Sequence, residues 1–218
     1  MMPKFTATAS LVGAALLLLA LTTQARAGEA DFPTSVGQTC RAQARDAEQR
    51  HQLPKLVLSA ISLAESGRWH PAKRKSYPWP WTVTSGADSA YFSDKASAIA
   101  AVQRLQAEGV SNIDVGCMQV NLHYHPNAFS NLEAAFDPAA NTEYAAVFLK
   151  GLFRSTKSWD RAIGRYHSAT PARAEGYIHR VKALWRTERV QVAESRREAV
   201  KAAYRERQEA LRAARTDS

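Results

Sequence analysis

Leu53-Pro54-Lys55-Leu56-Val57-Leu58-Ser59-Ala60-Ile61-Ser62-Leu63-Ala64-Glu65-Ser66-Gly67 is the stretch on which the reading of the chain turns. Pro54 suits the first turn of a helix, where a missing N–H costs nothing, and Gly67 suits the residue just past its end. A spacing of about 100° per residue places Lys55, Ser59, Ser62 and Ser66 on one polar face. Glu65 then falls between Leu58 and Ile61 on the apolar side, as an inward-pointing acid in the last turn. Partial burial and the negative end of the helix dipole both raise the pKa of a carboxyl placed there. A Glu of that kind holds a proton near neutral pH, as a general acid must; a buried acid bonded for structural reasons reads the same way.

Composition sets the frame around this helix. The chain has 218 residues, a formal net charge of +9 and 45% hydrophobic residues, enough for one domain with a core and additional ends. Lys4, the apolar run Leu11–Leu21 and Ala25-Arg26-Ala27 before Gly28 form a basic start, a short hydrophobic centre and a cleavage site. Residues 1–27 therefore read as a secretory signal, too short in its apolar part for a span of roughly 20 residues. Export to the periplasm with no membrane span after cleavage is the expectation. An exported basic protein meets anionic membranes and wall polymers, which removes nucleic acid as the first partner. Cys40 and Cys117, the two cysteines, would sit in an oxidising compartment that favours pairing over two buried thiols. Such a bridge closes a long loop, for which chain entropy gives about 4 kcal/mol.

Along the rest of the chain, a helix is expected near Val36–His51 with Cys40, Ala44 and Ala47 facing inward. Trp69–Phe92 holds two prolines and two strand-like runs, Trp81–Thr84 and Ala90–Phe92, around a Ser-Gly-Ala-Asp-Ser turn, which predicts one aromatic-rich hairpin. Ser93 is expected to cap a helix over Asp94–Glu108 that ends at Gly109. Asn112–Pro126 shows no helical stripe and reads as a turn followed by a short irregular or helical piece. Asp137-Pro138 starts a helix with Tyr144, Phe148 and Leu152 inward, Ser158–Tyr166 forms a short one, and Thr170-Pro171 opens a last one carrying Tyr177, Val181 and Leu184. The globular part, residues 28–185, is expected to end near Trp185. The Arg/Glu/Ala-rich stretch 186–218 reads as a solvated helix or a disordered extension, with a partner-binding or wall-binding arm as the alternative.

Three stretches belong together: Ala64-Glu65-Ser66-Gly67, Gly116-Cys117-Met118-Gln119-Val120-Asn121 and Ala162-Ile163-Gly164-Arg165-Tyr166-His167. In order and rough spacing they resemble the Glu-Ser, Gly-Leu-Met-Gln and Ala-Tyr-Asn signatures of soluble lytic transglycosylases, relatives of goose-type lysozyme. The form around Cys117 is especially like the small transglycosylases of type IV secretion and other envelope-spanning machines. The resemblance implies an α+β, mainly α fold, a lysozyme-like helical domain with a small β-hairpin insertion, that cleaves peptidoglycan glycan strands without a cofactor or metal. It makes Glu65 the catalytic acid and then base. Ser66 would orient Glu65 or touch substrate, Met118, Gln119 and Asn121 would line the groove, and Tyr166 would sit across from the acid. Cys117 stands in place of the usual Leu, and His167 in place of the usual Asn. A protein partner in a secretion or flagellar apparatus would be met through 186–218.

Other readings stay open at this stage. A non-catalytic glycan-binding or scaffold subunit would use the same groove, and a true muramidase hydrolase would need Asp88 or Asp114 as a second carboxylate. Trp79, Trp81 and Tyr91 either stack on sugar rings or pack in the core. His123 and His125, with His167, invite a zinc reading that lacks cysteines and any pattern of groups to orient the ligating rings.

Overall fold

The computed structural model describes residues 34–216, so the signal read at 1–27 lies outside the described residues. The described chain is α+β and mainly α, with two small antiparallel sheets. Its elements are α1 Thr34–Arg50, α2 Val57–Ser66, β1 Gly67–His70, β2 Lys75–Pro78, β3 Thr82–Ser85, β4 Asp88–Tyr91, α3 Lys95–Ala107, β5 Ile113–Val115, β6 Val120–Asn121, α4 Leu132–Ala135, α5 Pro138–Thr156, α6 Trp159–His167 and α7 Pro171–Thr216. Helices α1, α2, α5, α6 and α7 enclose one core, with Val57, Leu58, Ile61, Ala145, Leu149, Ile163 and Val181 fully buried. A second core of Val83, Val102, Ile113, Val115 and Phe136 lies between the larger sheet and α3 with α4.

Several elements start where the sequence chemistry places them. Asp137 Oδ1 accepts the Ala140 N–H at 2.9 Å with Pro138 in the first turn of α5, and Ser158 caps α6. Past α3, Gly109 takes φ +82°, a left-handed conformation that favours glycine. The N-terminus of α3 is capped by Asp94, whose Oδ1 accepts from Ser97 N at 2.8 Å, and not by Ser93.

The helix that organises the chain differs from its expected form in three ways. It begins at Val57, not in the turn after Pro54, because Leu56 is left-handed at φ 69° and Glu48 of α1 supplies the cap. Glu48 accepts from Leu56 N and Leu58 N at 2.7 Å and from Ser59 N at 3.1 Å, satisfying N–H groups that would otherwise be orphaned. Its serine face is not solvated: Ser59, Ser62 and Ser66 are all fully buried. Gly67 is not left-handed; a Cβ there would lie 2.3 Å from the Leu63 carbonyl oxygen, so the strand can leave the helix only without a side chain.

Where one hairpin was expected there are two sheets. β1 pairs with β2, and the larger sheet runs β4-β3-β5-β6. The expected hairpin is β3–β4, with Thr82 opposite Tyr91 and Ser85 opposite Asp88. Asn112–Pro126, read as irregular, supplies β5 and β6: β5 pairs with β3 through Val83↔Val115 and with β6 through Asp114↔Asn121. The turn between them is covalently fixed, since Cys40 and Cys117 form a disulfide with Cα atoms 5.8 Å apart. Gly116 in that turn has φ +83°, and a Cβ on it would meet the buried Asn141 side chain at 2.5 Å. Asn141 donates to Val115 O and Ala135 O and accepts from Met118 N, locking α5 to the turn.

The boundary expected at Trp185 does not coincide with a break. α7 runs unbroken for 46 residues, and Glu188, 1% exposed, pairs with buried Arg41 of α1 at 3.0 Å. Lys75 donates to Gln191, so the body reaches one turn further. Beyond it α7 is largely exposed, with Val200, Tyr204 and Leu211 facing solvent. Among the described residues no helix is long and apolar enough to cross a membrane.

Candidate active site

An open cleft of about 970 Å³ lies where the larger sheet meets the helical body. Glu65 reaches it from the last turn of α2. Thr84, Ser89 and Tyr91 line it from the sheet, Asp114, Gln119 and Asn121 from β5 to β6, Tyr144 and Phe148 from α5, residues 165–170 from α6 and the turn after it, and Arg173 and Arg180 from α7. Tyr144 and Phe148 were expected inside the core; the fully buried face of α5 is instead Asn141, Ala145 and Leu149, and the two rings border the cleft.

Glu65 keeps part of its surface open to the cleft, while protein surrounds most of the carboxyl. That desolvation pushes its pKa up to about 7, opposed by a hydrogen bond from Tyr177 and by Arg180, and assisted by the charge of Asp114. The hydrogen bond is short: Tyr177 Oη donates to Glu65 Oε1 at 2.5 Å. His167 stacks on the Tyr177 ring, centroids 4.5 Å apart and planes 6° off parallel, which holds the phenol against the acid. Burial and the nearby Arg180 lower the pKa of His167, so the ring stays neutral to lower pH than an ordinary histidine. Sequence reasoning placed Tyr177 in the core; its available signal was a polar tip on an otherwise apolar face, which normally needs a partner.

The other expected site residues divide. Gln119 lines the cleft with a left-handed backbone, φ 46°, and a fully engaged amide: Nε2 donates to Thr82 O and Gly116 O, and Oε1 accepts from Thr84 Oγ1 at 2.6 Å. Asn121 Nδ2 donates to Asp114 Oδ1 at 2.9 Å while its Oδ1 accepts from His123 N and Tyr124 N, so it orients Asp114. Burial raises the Asp114 pKa, partly offset by that Asn121 bond. Tyr166 lines the cleft, but its hydroxyl donates to Met118 O at 2.9 Å.

Two residues do not reach the cleft. Ser66 is fully buried and donates to Cys117 O at 2.8 Å, the carbonyl that also accepts from Ser62 at 2.9 Å. It therefore positions Glu65 by tying α2 to the disulfide-bearing turn and cannot touch a ligand. Met118 is fully buried in the helical core, because the turn that exposes Gln119 sends its predecessor inward.

Of the remaining candidates, Asp88 is exposed on β4 and absent from the cleft lining, whereas Asp114 lies within it. Trp79 is 1% exposed and donates to Phe92 O, which makes it a core residue; Trp81 packs against the sheet core. Tyr91 lines the cleft, as does Tyr124, which is 71% exposed. His125 pairs with Tyr144 Oη at 2.8 Å inside the cleft, and His123 lies outside the lining.

Replacing Tyr177 with Phe removes a bond that favours the ionised acid, so the Glu65 titration moves to higher pH. A carbon-13 NMR titration of the Glu65 carboxyl reads this directly. An unmoved titration would show that the phenol only fills space.

Fold and site thus define a mainly helical α+β domain with an open cleft in which one carboxyl carries a proton near neutrality. Compared with protein-family models, with curated proteins and with solved structures, the chain matches none of them.

Proposed function

We propose that this protein is a periplasmic peptidoglycan lytic transglycosylase of lysozyme-like architecture, with Glu65 as its single acid and base. The observation that carries the reading is the Glu65 carboxyl, at a pKa of about 7, on the wall of a cleft open enough for a polymer. Glu65 protonates the bridging oxygen between N-acetylmuramic acid and N-acetylglucosamine as the C1–O bond breaks. The substrate's acetamido oxygen closes on C1 and holds the positive charge. The Glu65 carboxylate then takes the proton of the muramyl 6-hydroxyl, whose oxygen displaces the acetamido oxygen to leave a 1,6-anhydro end. No water is consumed. A half-protonated carboxyl suits both steps, since the same group must give and then take a proton. The Tyr177 hydroxyl stabilises the carboxylate between them.

Asp114 favours a second reading. It shares the cleft and is close enough to raise the Glu65 pKa, as the partner carboxylate of a muramidase hydrolase would. Digestion of purified peptidoglycan followed by fragment masses decides: anhydro ends, lighter by one water, support the transglycosylase, and reducing ends support the hydrolase. Strands bound but left intact by the wild type would sink both and leave a glycan-binding subunit. The exposed part of α7 beyond Gln191 is where a protein partner of an envelope machine would dock.

A further inference from the structure

The cleft is asymmetric in charge. Arg165 of α6 and Arg173 and Arg180 of α7 line one side, and none of the three is in an ion pair or side-chain hydrogen bond among the described residues. The carboxyls of the cleft are Glu65 and Asp114, engaged by Tyr177 and Asn121. Elsewhere on the body, Arg50 pairs with Glu143 and Lys182 with Asp160, whereas the three cleft arginines converge on one concave wall with no ion-pair partner of their own among the described residues.

The arginines are also placed close to the chemistry. Arg173, Tyr177 and Arg180 stand at i, i+4 and i+7, on one face of α7, each arginine about one helical turn or roughly 5–6 Å from the residue that touches Glu65. Arg180 acts on both Glu65 and His167, and Arg173 on His167. An extended chain of two residues spans about 7 Å, so an anion within two residues of the reacting sugar falls inside this reach. Guanidinium groups left unpaired in a concave site match carboxylates in charge and in planar, two-point geometry.

Resting on the lytic transglycosylase reading, we infer that the α6–α7 side of the cleft is a carboxylate-binding subsite that selects glycan by the substituent on its muramyl sugar. Two sources carry that chemistry: the free carboxylates of an attached stem peptide, and the lactyl carboxylate exposed when the peptide has been removed. In both, the arginines hold the substituent and thereby fix the register of the strand over Glu65.

Binding of the full chain carrying Glu65→Gln, which leaves strands uncut, tests this with three soluble glycans. The first bears native stem peptides, the second is the same material with carboxylates converted to amides, and the third has been stripped of peptides by an amidase. The expected result is roughly tenfold tighter binding of the native strands than of the amidated ones, shrinking as salt is raised. Adding Arg165→Gln and Arg173→Gln brings the two within about twofold, the scale of residual non-specific differences. With native strands preferred over amidated ones, stripped strands that bind like native ones show that the subsite takes either carboxylate, and stripped strands that bind like amidated ones restrict it to the peptide; tight binding of stripped strands alone assigns it to the lactyl carboxylate. Equal binding of all three strands, or a preference that survives loss of both arginines, overturns the inference. Fragment masses from the wild type report separately, so a failed subsite and a failed enzymatic reading are distinguishable. All three arginines are exposed, and circular dichroism of the variants checks that folding is retained.

Discussion

On the proposed lytic transglycosylase function, Glu65→Gln abolishes peptidoglycan cleavage, with kcat lower by about a thousandfold or more, and on the raised Glu65 pKa the variant is more stable than the wild type at pH 8. The first effect follows from chemistry. Gln cannot deliver a proton to the bridging oxygen, and proton transfer by a placed side chain contributes about 10²–10⁴ in rate. In the proposed mechanism one group serves both steps, so its removal takes away proton donor and acceptor together. The second effect follows from the folded pKa of about 7 against an ordinary 4.5. Below pH 4.5 the carboxyl is protonated folded or unfolded and costs nothing. As pH rises through 4.5 toward 7, the unfolded chain releases the proton and the folded one keeps it, so stability falls; above 7 the loss is complete, at up to about 3 kcal/mol. Gln carries the same shape without that penalty and still accepts from Tyr177. Thermal melts at pH 4 and pH 8 check it: the variant gains several degrees at pH 8 and little at pH 4. Equal melting at both values would mean that Glu65 is well solvated, and retained cleavage would place the acid elsewhere.

Much of the fold could be read from local signals, and the failures share one cause. Asp137-Pro138, Ser158 and Gly109 mark helix ends by backbone chemistry that acts within a turn, and each stands where the helix begins or stops. The Cys40–Cys117 bridge matches the pairing expected of two cysteines in an oxidising compartment. β5 and β6 were not, because strands of three and two residues carry no period of their own; they exist through pairing with β3. The serines of α2 misled for a related reason. A serine is polar in any local count, yet Ser62 and Ser66 spend their hydroxyls on one carbonyl, Cys117 O, that a distant disulfide brings beneath them. At the cleft, Glu65, Gln119, Asn121, Tyr166 and His167 line the walls, while Ser66 and Met118 support them from behind. Tyr177 escaped notice because its partner is 112 residues away, and only the packing of α7 across α2 joins them.

A chain ending at Trp185 loses about 3–5 kcal/mol of stability relative to one ending at Val192. The largest part of the difference is a buried ion pair. Arg41 is 6% exposed, burial lowers its pKa, and its counter-charge is Glu188 at 3.0 Å. Cutting before Glu188 leaves the guanidinium enclosed without its carboxylate, and breaking a buried pair from one side costs that much because an uncompensated charge remains. Lys75 also loses Gln191 and stays near Arg41 as a second unbalanced cation. The longer chain keeps both contacts and sheds only the mostly exposed part of α7. For a domain of this size the loss corresponds to a melting point lower by roughly 10 °C. Arg41→Met in the shorter chain should recover much of it, since exchanging a buried charge for an apolar side chain of similar length removes the desolvation cost. If the two chain lengths melt together, Arg41 finds water or another partner when α7 is shortened. If the shorter chain is weak but Arg41→Met gives no recovery, the helix stabilises by packing and not by charge.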